Sequence, residues 1–105
     1  MKNCLFCKIA NKKTETEILF EDKNFAVFKD IRPKAPLHLL IVPKKHINSL
    51  NELKEKNKEF LGEMILRAVK IAQEKGRSEG YRLMINTGKK SGQEIDHLHL
   101  HLLGF

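Results

Sequence analysis

The segment His97-Leu98-His99-Leu100-His101-Leu102-Leu103-Gly104-Phe105 alternates histidine with leucine. Strict alternation is the mark of a half-buried β-strand. Positions two apart share a face, so His97, His99 and His101 point one way while Leu98, Leu100 and Leu102 point the other. The leucine face is the natural core face and needs a helix over it. The histidine face is not explained by packing, because each buried ring must find a polar partner or water. Imidazole titrates near neutrality, binds metals and attacks phosphorus. Two chemistries follow from the residues alone. One is a metal site, since two rings two apart can reach one ion. The other is a histidine nucleophile with histidine helpers.

The rest of the chain supplies partners for this strand. Leu5, Phe6, Ile9 and Ala10 recur at helical spacing and predict a short helix over residues 3–11. Ile18-Leu19-Phe20 and Phe25-Ala26-Val27-Phe28 flank the turn Asp22-Lys23-Asn24 and predict a hairpin. Pro33 and Pro36 stiffen the loop from Asp30, and Leu37 to Val42 then forms an apolar strand interrupted only by His38. Ser49 and Glu52 have capping-box spacing. Phe60, Leu61, Met64, Ile65, Ala68, Val69, Ile71 and Ala72 predict one long amphipathic helix over roughly 56–75, with Gly76 as its stop. Tyr81 to Asn86 is a further strand, joined to the histidine strand by the glycine-bearing loop Thr87 to Gln93. Short turns between strands favour an antiparallel sheet, giving an α+β domain over 1–105.

The chain carries a formal net charge of +7, which favours anionic partners such as nucleotides. Lysines and acids are interleaved between Glu52 and Glu63, and no basic, aromatic-rich face marks an RNA-binding protein. Nucleic acid is therefore not an expected partner. No apolar run approaches a membrane span, and the first residues lack the apolar stretch of a signal peptide. The expectation is a cytoplasmic protein without a membrane partner. Cys4 and Cys7 form a Cys-x-x-Cys with only three residues before it, too few for the strand that a redox motif wants. Half of a metal site is the better reading, if histidines complete it.

His97-Leu98-His99-Leu100-His101-Leu102-Leu103 has the His-x-His-x-His-x-x form of the histidine triad (HIT) superfamily. Cys4 to Ile9, Ile18 to Asp22, the block Phe28 to His38, Ile41 to His46, Gly80-Tyr81-Arg82, Asn86 and Gly92-Gln93 also resemble its Hint branch in order and spacing. The resemblance implies a HIT-like fold: a five-stranded antiparallel sheet with a short N-terminal helix and one long helix packed on it. It implies an enzyme that binds purine nucleotides and cleaves nucleoside phosphoramidates or aminoacyl-adenylates by hydrolysis or nucleotidyl transfer. His99 would be the nucleophile, forming a nucleotidyl-histidine intermediate, with His38 and His101 beside the phosphate. Asn86, Gly92 and Gln93 would contact phosphate and leaving group. Asp30 would accept the ribose hydroxyls, and Leu5, Phe6, Ile9, Phe28 and Ile31 would form the base pocket. Cys4, Cys7, His46 and His97 would hold a structural zinc, and a homodimer is implied.

The chain departs from the family pattern at Glu94, where Ser or Thr is usual, and at Thr14-Glu15-Thr16, which replaces an apolar-Pro step. Longer relatives continue past the position of Phe105 with a tail that shapes leaving-group preference, so substrate choice stays open. His101 stands where the uridylyltransferase branch has Gln, which favours hydrolysis. Two alternatives stand beside the leading reading. One is a Fhit-like dinucleoside polyphosphate hydrolase, whose usual Pro-Arg after the triad strand is Gly104-Phe105 here. The other is a zinc-stabilised nucleotide-binding module with little turnover.

Overall fold

The computed structural model of the chain describes residues 4–105. In chain order its elements are α1 (Leu5–Ala10), β1 (Phe20–Glu21), β2 (Phe25–Lys29), β3 (Leu37–Pro43), α2 (Lys58–Glu74), β4 (Tyr81–Met84) and β5 (Leu100–Gly104). The five strands make one antiparallel sheet in the order β1-β2-β3-β5-β4. This is the expected α+β architecture. Asn3, with which the predicted first helix begins, lies outside the described residues.

Alternation within the central strands sends side chains to two cores. Phe25, Val27, Leu39, Ile41, Leu100 and Leu102 face α2 and pack with Met64, Ala68, Ile71 and Ala72. Ala26, Phe28, Leu40 and Val42 face the other way, against Phe6, Ile9 and Ala10 of α1. The sheet is thus covered on both faces, not on the leucine face alone. That is why the β2 and β3 sequences are apolar at almost every position. The histidines belong to the α1 face, which gives them a buried setting.

Several boundaries differ from the sequence reading. The β5 ladder begins at Leu100, opposite Ile41, so His97 to His99 precede it. Facing them, β3 ends at Pro43, which has no N–H to donate. The Leu98 N–H bonds instead to the Ile47 carbonyl at 2.6 Å. Burial still alternates, since Leu98 joins Leu100 and Leu102 in the α2 core. Helix α2 starts at Lys58, after a 3₁₀ turn at Glu55–Asn57 in which Asn57 Oδ1 accepts from the Lys54 N–H at 2.9 Å. Its end comes at Gly76, which adopts φ +72° while the Arg77 N–H reaches back to the Ala72 carbonyl at 2.8 Å. Ser49 caps the 3₁₀ turn Leu50–Glu52, but Glu52 turns back to the Asn48 N–H, so the reciprocal capping box does not form.

Gly104 sits where β5 passes between Leu37 and Tyr81. A Cβ there would stand 2.8 Å from Arg77 Cγ and 3.1 Å from Leu37 Cβ. Arg77 can swing aside, but the Leu37 Cβ is fixed to the β3 backbone. Gly104→Ala should therefore destabilise the chain by about 1–3 kcal/mol, and adding Arg77→Ala should recover only part of the loss in thermal melts.

Candidate active site and metal centre

The α1 face opens into a cavity of about 430 Å³. Phe6 and Ile9 from α1, Phe28 from β2, Leu40 from β3 and Ile95 give it an apolar end. His38, His99, His101, Asn86, Gly92 and Glu94 give it a polar end. The arrangement follows from the sheet: β3 and β5 are neighbours, with His38 opposite Leu103 and Leu40 opposite His101. His38 and His101 are therefore diagonal neighbours on one face and can touch. Their rings meet with His38 Nε2 2.9 Å from His101 Nδ1. Asp30 closes on the pair, its Oδ2 lying 3.4 Å from His38 Nε2 and 4.0 Å from His101 Nδ1.

His99 is held differently. Its Nδ1 lies 2.7 Å from the His97 carbonyl. A carbonyl only accepts, so Nδ1 carries a proton, and in the neutral form of the ring Nε2 keeps its lone pair. Among the described residues Nε2 has no hydrogen-bond partner. The edge of the Phe6 ring meets the His99 ring, with centroids 5.0 Å apart and planes at 82°. An imidazole with one nitrogen tied to the backbone and the other bare at a cavity is oriented in a way that a nucleophile could use.

Burial keeps the neighbouring rings uncharged. It pulls His101 down from 6.5 to about 4, helped by His99 and His38 and opposed by Asp30. Burial also lowers His38, again opposed by Asp30.

A second cluster lies behind the cavity. Cys4 and Cys7 begin α1, His46 follows β3, and His97 precedes β5. One ligand atom from each lies within 4.8 Å of every other. His97 Nδ1 is 3.2 Å from Cys4 Sγ and 3.4 Å from Cys7 Sγ, and His46 Nδ1 is 3.1 Å from Cys7 Sγ. A tetrahedral ion with arms of about 2.3 Å to sulfur and 2.1 Å to nitrogen sets its ligands roughly 3.3–3.8 Å apart, so the cluster fits one with little adjustment. Both outer nitrogens also have carbonyl-type acceptors. His97 Nε2 donates to the Pro43 carbonyl at 2.8 Å and His46 Nε2 to Asn48 Oδ1 at 2.7 Å. Each ring therefore offers an Nδ1 lone pair to the cysteines, as metal-bound imidazoles do. These four residues could hold a metal ion.

Most residues expected from the sequence come together here. Leu5, Phe6, Ile9, Phe28, Asp30, Ile31, Asn86, Gly92, His38, His99 and His101 all line the cavity. Ile31 does so from an exposed loop tip, 88% accessible. Gln93 does not line it. Its side chain is buried, accepting from the Gly88 N–H at 2.8 Å and donating to the Asn48 and Ile95 carbonyls at 2.7 and 3.0 Å. It holds the 88–92 loop to the loop that carries Asn48, and no sequence signal separates that duty from a phosphate contact. Thr16, Lys29, Arg32, Lys34, Met84 and Ile95 also line the cavity and were not anticipated. Lys29, Arg32 and Lys34 flank the residues of the Asp30 block that the motif did mark.

Comparisons with known proteins bear on this site. A family model described as "Scavenger mRNA decapping enzyme C-term binding" matches residues 3–105. The chain is 46% identical over 104 residues to Protein HitA of Neisseria gonorrhoeae, covering 99% of this chain and 97% of that protein. It is 42% identical over 101 residues to the purine nucleoside phosphoramidase of Escherichia coli K12, covering 95% of this chain and 85% of that protein. Among solved structures, a HIT family hydrolase from Legionella pneumophila Philadelphia 1 superposes with a TM-score of 0.94 at 53% identity, covering 97% of this chain and 92% of that one. A histidine triad protein from Clostridium difficile superposes with a TM-score of 0.95 at 40% identity, covering 100% and 92%.

The depressed His101 has a consequence for stability. Its folded value, about 4, lies below its unfolded value of 6.5. Between the two, the unfolded chain takes up a proton that the folded ring refuses. Stability should therefore fall as the pH drops through that window, by up to about 1.4 kcal/mol per pH unit for this group. His101→Asn should flatten that limb in urea melts run at several pH values, against the wild-type chain.

Proposed function

The chain belongs to the histidine triad family, and on that premise we propose that it is a purine nucleoside phosphoramidase-like hydrolase that works through a nucleotidyl intermediate on His99. The observation that carries this reading is the His99 ring, tied at Nδ1 to the His97 carbonyl and bare at Nε2, on the wall of a cavity with one apolar and one polar end. The similarity to the Escherichia coli phosphoramidase over most of both chains supports the same chemistry.

In this reading the purine lies among Phe6, Ile9 and Phe28, with Leu5 and Ile31 at the mouth. Asp30 takes the ribose hydroxyls. Asn86 and Gly92 meet the phosphate. His99 Nε2 attacks the α-phosphorus, a P–N bond to the ring forms, and the bond to the leaving amine or acyl oxygen breaks with its electron pair; a leaving amine takes up one proton from solvent, which the attacking water of the second step gives back. Water then attacks the same phosphorus. The P–Nε2 bond breaks, and nucleoside monophosphate and neutral His99 are released. Dividing one displacement into two lowers each barrier. Phosphoryl oxygens gain charge in both steps, and His101, backed by His38, stabilises it. Gln93, in the same reading, shapes the phosphate loop from behind.

Zinc is the ion assigned to Cys4, Cys7, His46 and His97, because a closed Cys₂His₂ set leaves no position for substrate. Held there, it joins α1 to the start of the histidine segment and supplies no chemistry. Two copies associate through α2 and β4. The exposed Leu66 and Ile65 on α2 support this, as does β4, which pairs only with β5 among the described residues. No described helix is long and apolar enough to cross a membrane, in keeping with a protein that works in the cytoplasm.

Adenosine 5′-phosphoramidate incubated with the protein should yield AMP, and acid quench during turnover should trap an adenylyl adduct on His99 in peptide mass spectra. His99→Gly should lower the rate by roughly a thousandfold or more and leave no adduct. Turnover that survives in this variant would remove His99 as nucleophile. The metal assignment has its own readout. Freshly purified protein should contain about one zinc per chain by elemental analysis, and Cys4→Ser/Cys7→Ser should contain none. A strong chelator should lower the melting temperature of the wild type and leave that of the double variant unchanged.

A further inference from the structure

The loop between Asp30 and β3 makes one contact that neither the motif nor the reaction accounts for. The backbone N–H of Lys34 lies 3.1 Å from His38 Nδ1. A peptide N–H can only donate, so Nδ1 must present its lone pair. The proton of a neutral His38 is then on Nε2. That nitrogen is 2.9 Å from His101 Nδ1 and 3.4 Å from Asp30 Oδ2. With a proton on His38 Nε2, His101 Nδ1 must accept, and the proton of a neutral His101 is on its own Nε2. His101 lines the cavity, and Nε2 is the nitrogen turned away from His38.

We propose that the Lys34 peptide N–H fixes the tautomers of His38 and His101 in series, so that His101 presents a neutral Nε2–H donor to the cavity. The donor serves the phosphoryl oxygens. His38 is then a positioning residue, and Lys34 acts through its backbone. A neutral imidazole N–H is a hydrogen-bond donor but a very weak acid. This assigns His101 to charge stabilisation and not to protonating the leaving group, a choice that the motif leaves open. His99 carries the opposite tautomer, with its proton on Nδ1. One face of the sheet thus holds one ring set to attack and one set to donate.

Burial favours this uncharged arrangement. The side chains of His38 and His101 are 1% and 13% accessible. The charged groups facing the pair are Asp30 and Lys34, whose effects on both rings oppose each other. Asp30, His38 and His101 bring three ligand atoms together, as a cation site would. The Lys34 contact argues against one. An imidazole that binds a cation through Nε2 carries its proton on Nδ1, where it would face the Lys34 N–H.

The proposal rests on the hydrolase reading for its purpose but not for its test, because tautomers are read without substrate. In uniformly ¹⁵N-labelled full-length protein at neutral pH, two couplings across hydrogen bonds are expected. One joins the Lys34 amide nitrogen to His38 Nδ1, and the other joins His38 Nε2 to His101 Nδ1. Both rings should show an unprotonated Nδ1 and a protonated Nε2, and His99 the reverse. A protonated Nδ1 on His38 or His101, or a doubly protonated ring, would overturn the proposal. So would a missing Lys34 coupling. In activity assays Lys34→Ala, which keeps the N–H, should retain the tautomers. Lys34→Pro, which removes it, should mix them and lower kcat by up to about tenfold with KM little changed. Should Lys34→Pro fail to fold, the wild-type couplings decide the matter. Tautomers as stated in a chain that releases no AMP would leave the inference standing and defeat the hydrolase reading instead.

Discussion

Much of the site depends on one fully enclosed ring, that of His97, whose two nitrogens are both engaged. Nε2 donates to the carbonyl at the end of β3, while Nδ1 faces the two cysteines at the start of α1. The ring is fully buried, so neither contact can be replaced by water. It therefore joins the end of the central strand, the α1 helix on the cavity face and the segment that becomes β5. Its own carbonyl then accepts a hydrogen bond from the Nδ1–H of His99. The His99 ring is thus oriented, at one remove, by whatever holds His97.

The cavity exists because the sheet is unequally covered. Helix α2 has 17 residues and closes the leucine face along its length, whereas α1 has six and covers only part of the other. The uncovered part is where His38, His99 and His101 meet space. Had the two helices been of equal length, the same strand pattern would have given three solvated or fully enclosed rings. Phe6 serves both regions, packing against Phe28 on one side and against His99 on the other. The apolar end of the cavity and the His99 ring thus share one wall.

The period-two pattern from His97 to Leu102 was readable in the sequence and survives in burial, even though the first three residues stand outside the ladder. Residue spacing also marked the two helices, the turn at Gly76 and the pairing of Cys4 with Cys7. Resemblance, rather than spacing, joined His46 and His97 to those cysteines. What escaped was everything decided by the path of a loop. Gln93 and Asn86 look alike as polar loop residues, yet one is spent on backbone groups behind the cavity and the other faces it. Lys34 reads as one of many solvated lysines, and its part is played by a peptide N–H that no side-chain pattern reports. Covering of the second sheet face was hidden for a related reason. An apolar strand states that both sides are buried but not which element lies on each.

The cluster at Cys4, Cys7, His46 and His97 spans almost the whole chain, with Cys4 and His97 separated by 93 positions. An ion held there acts on the unfolded ensemble as a cross-link does, forbidding the expanded conformations of a ring that encloses nearly every residue. For a covalent link around a loop of this size the entropic gain is about 4–5 kcal/mol. Unlike a disulfide, such a link opens and closes without a change in redox state, as ligand atoms gain or lose protons and as the ion is given up to a competitor. With an ion at this site the chain would be switchable between open and ring-closed forms, with His99 two residues from the clasp.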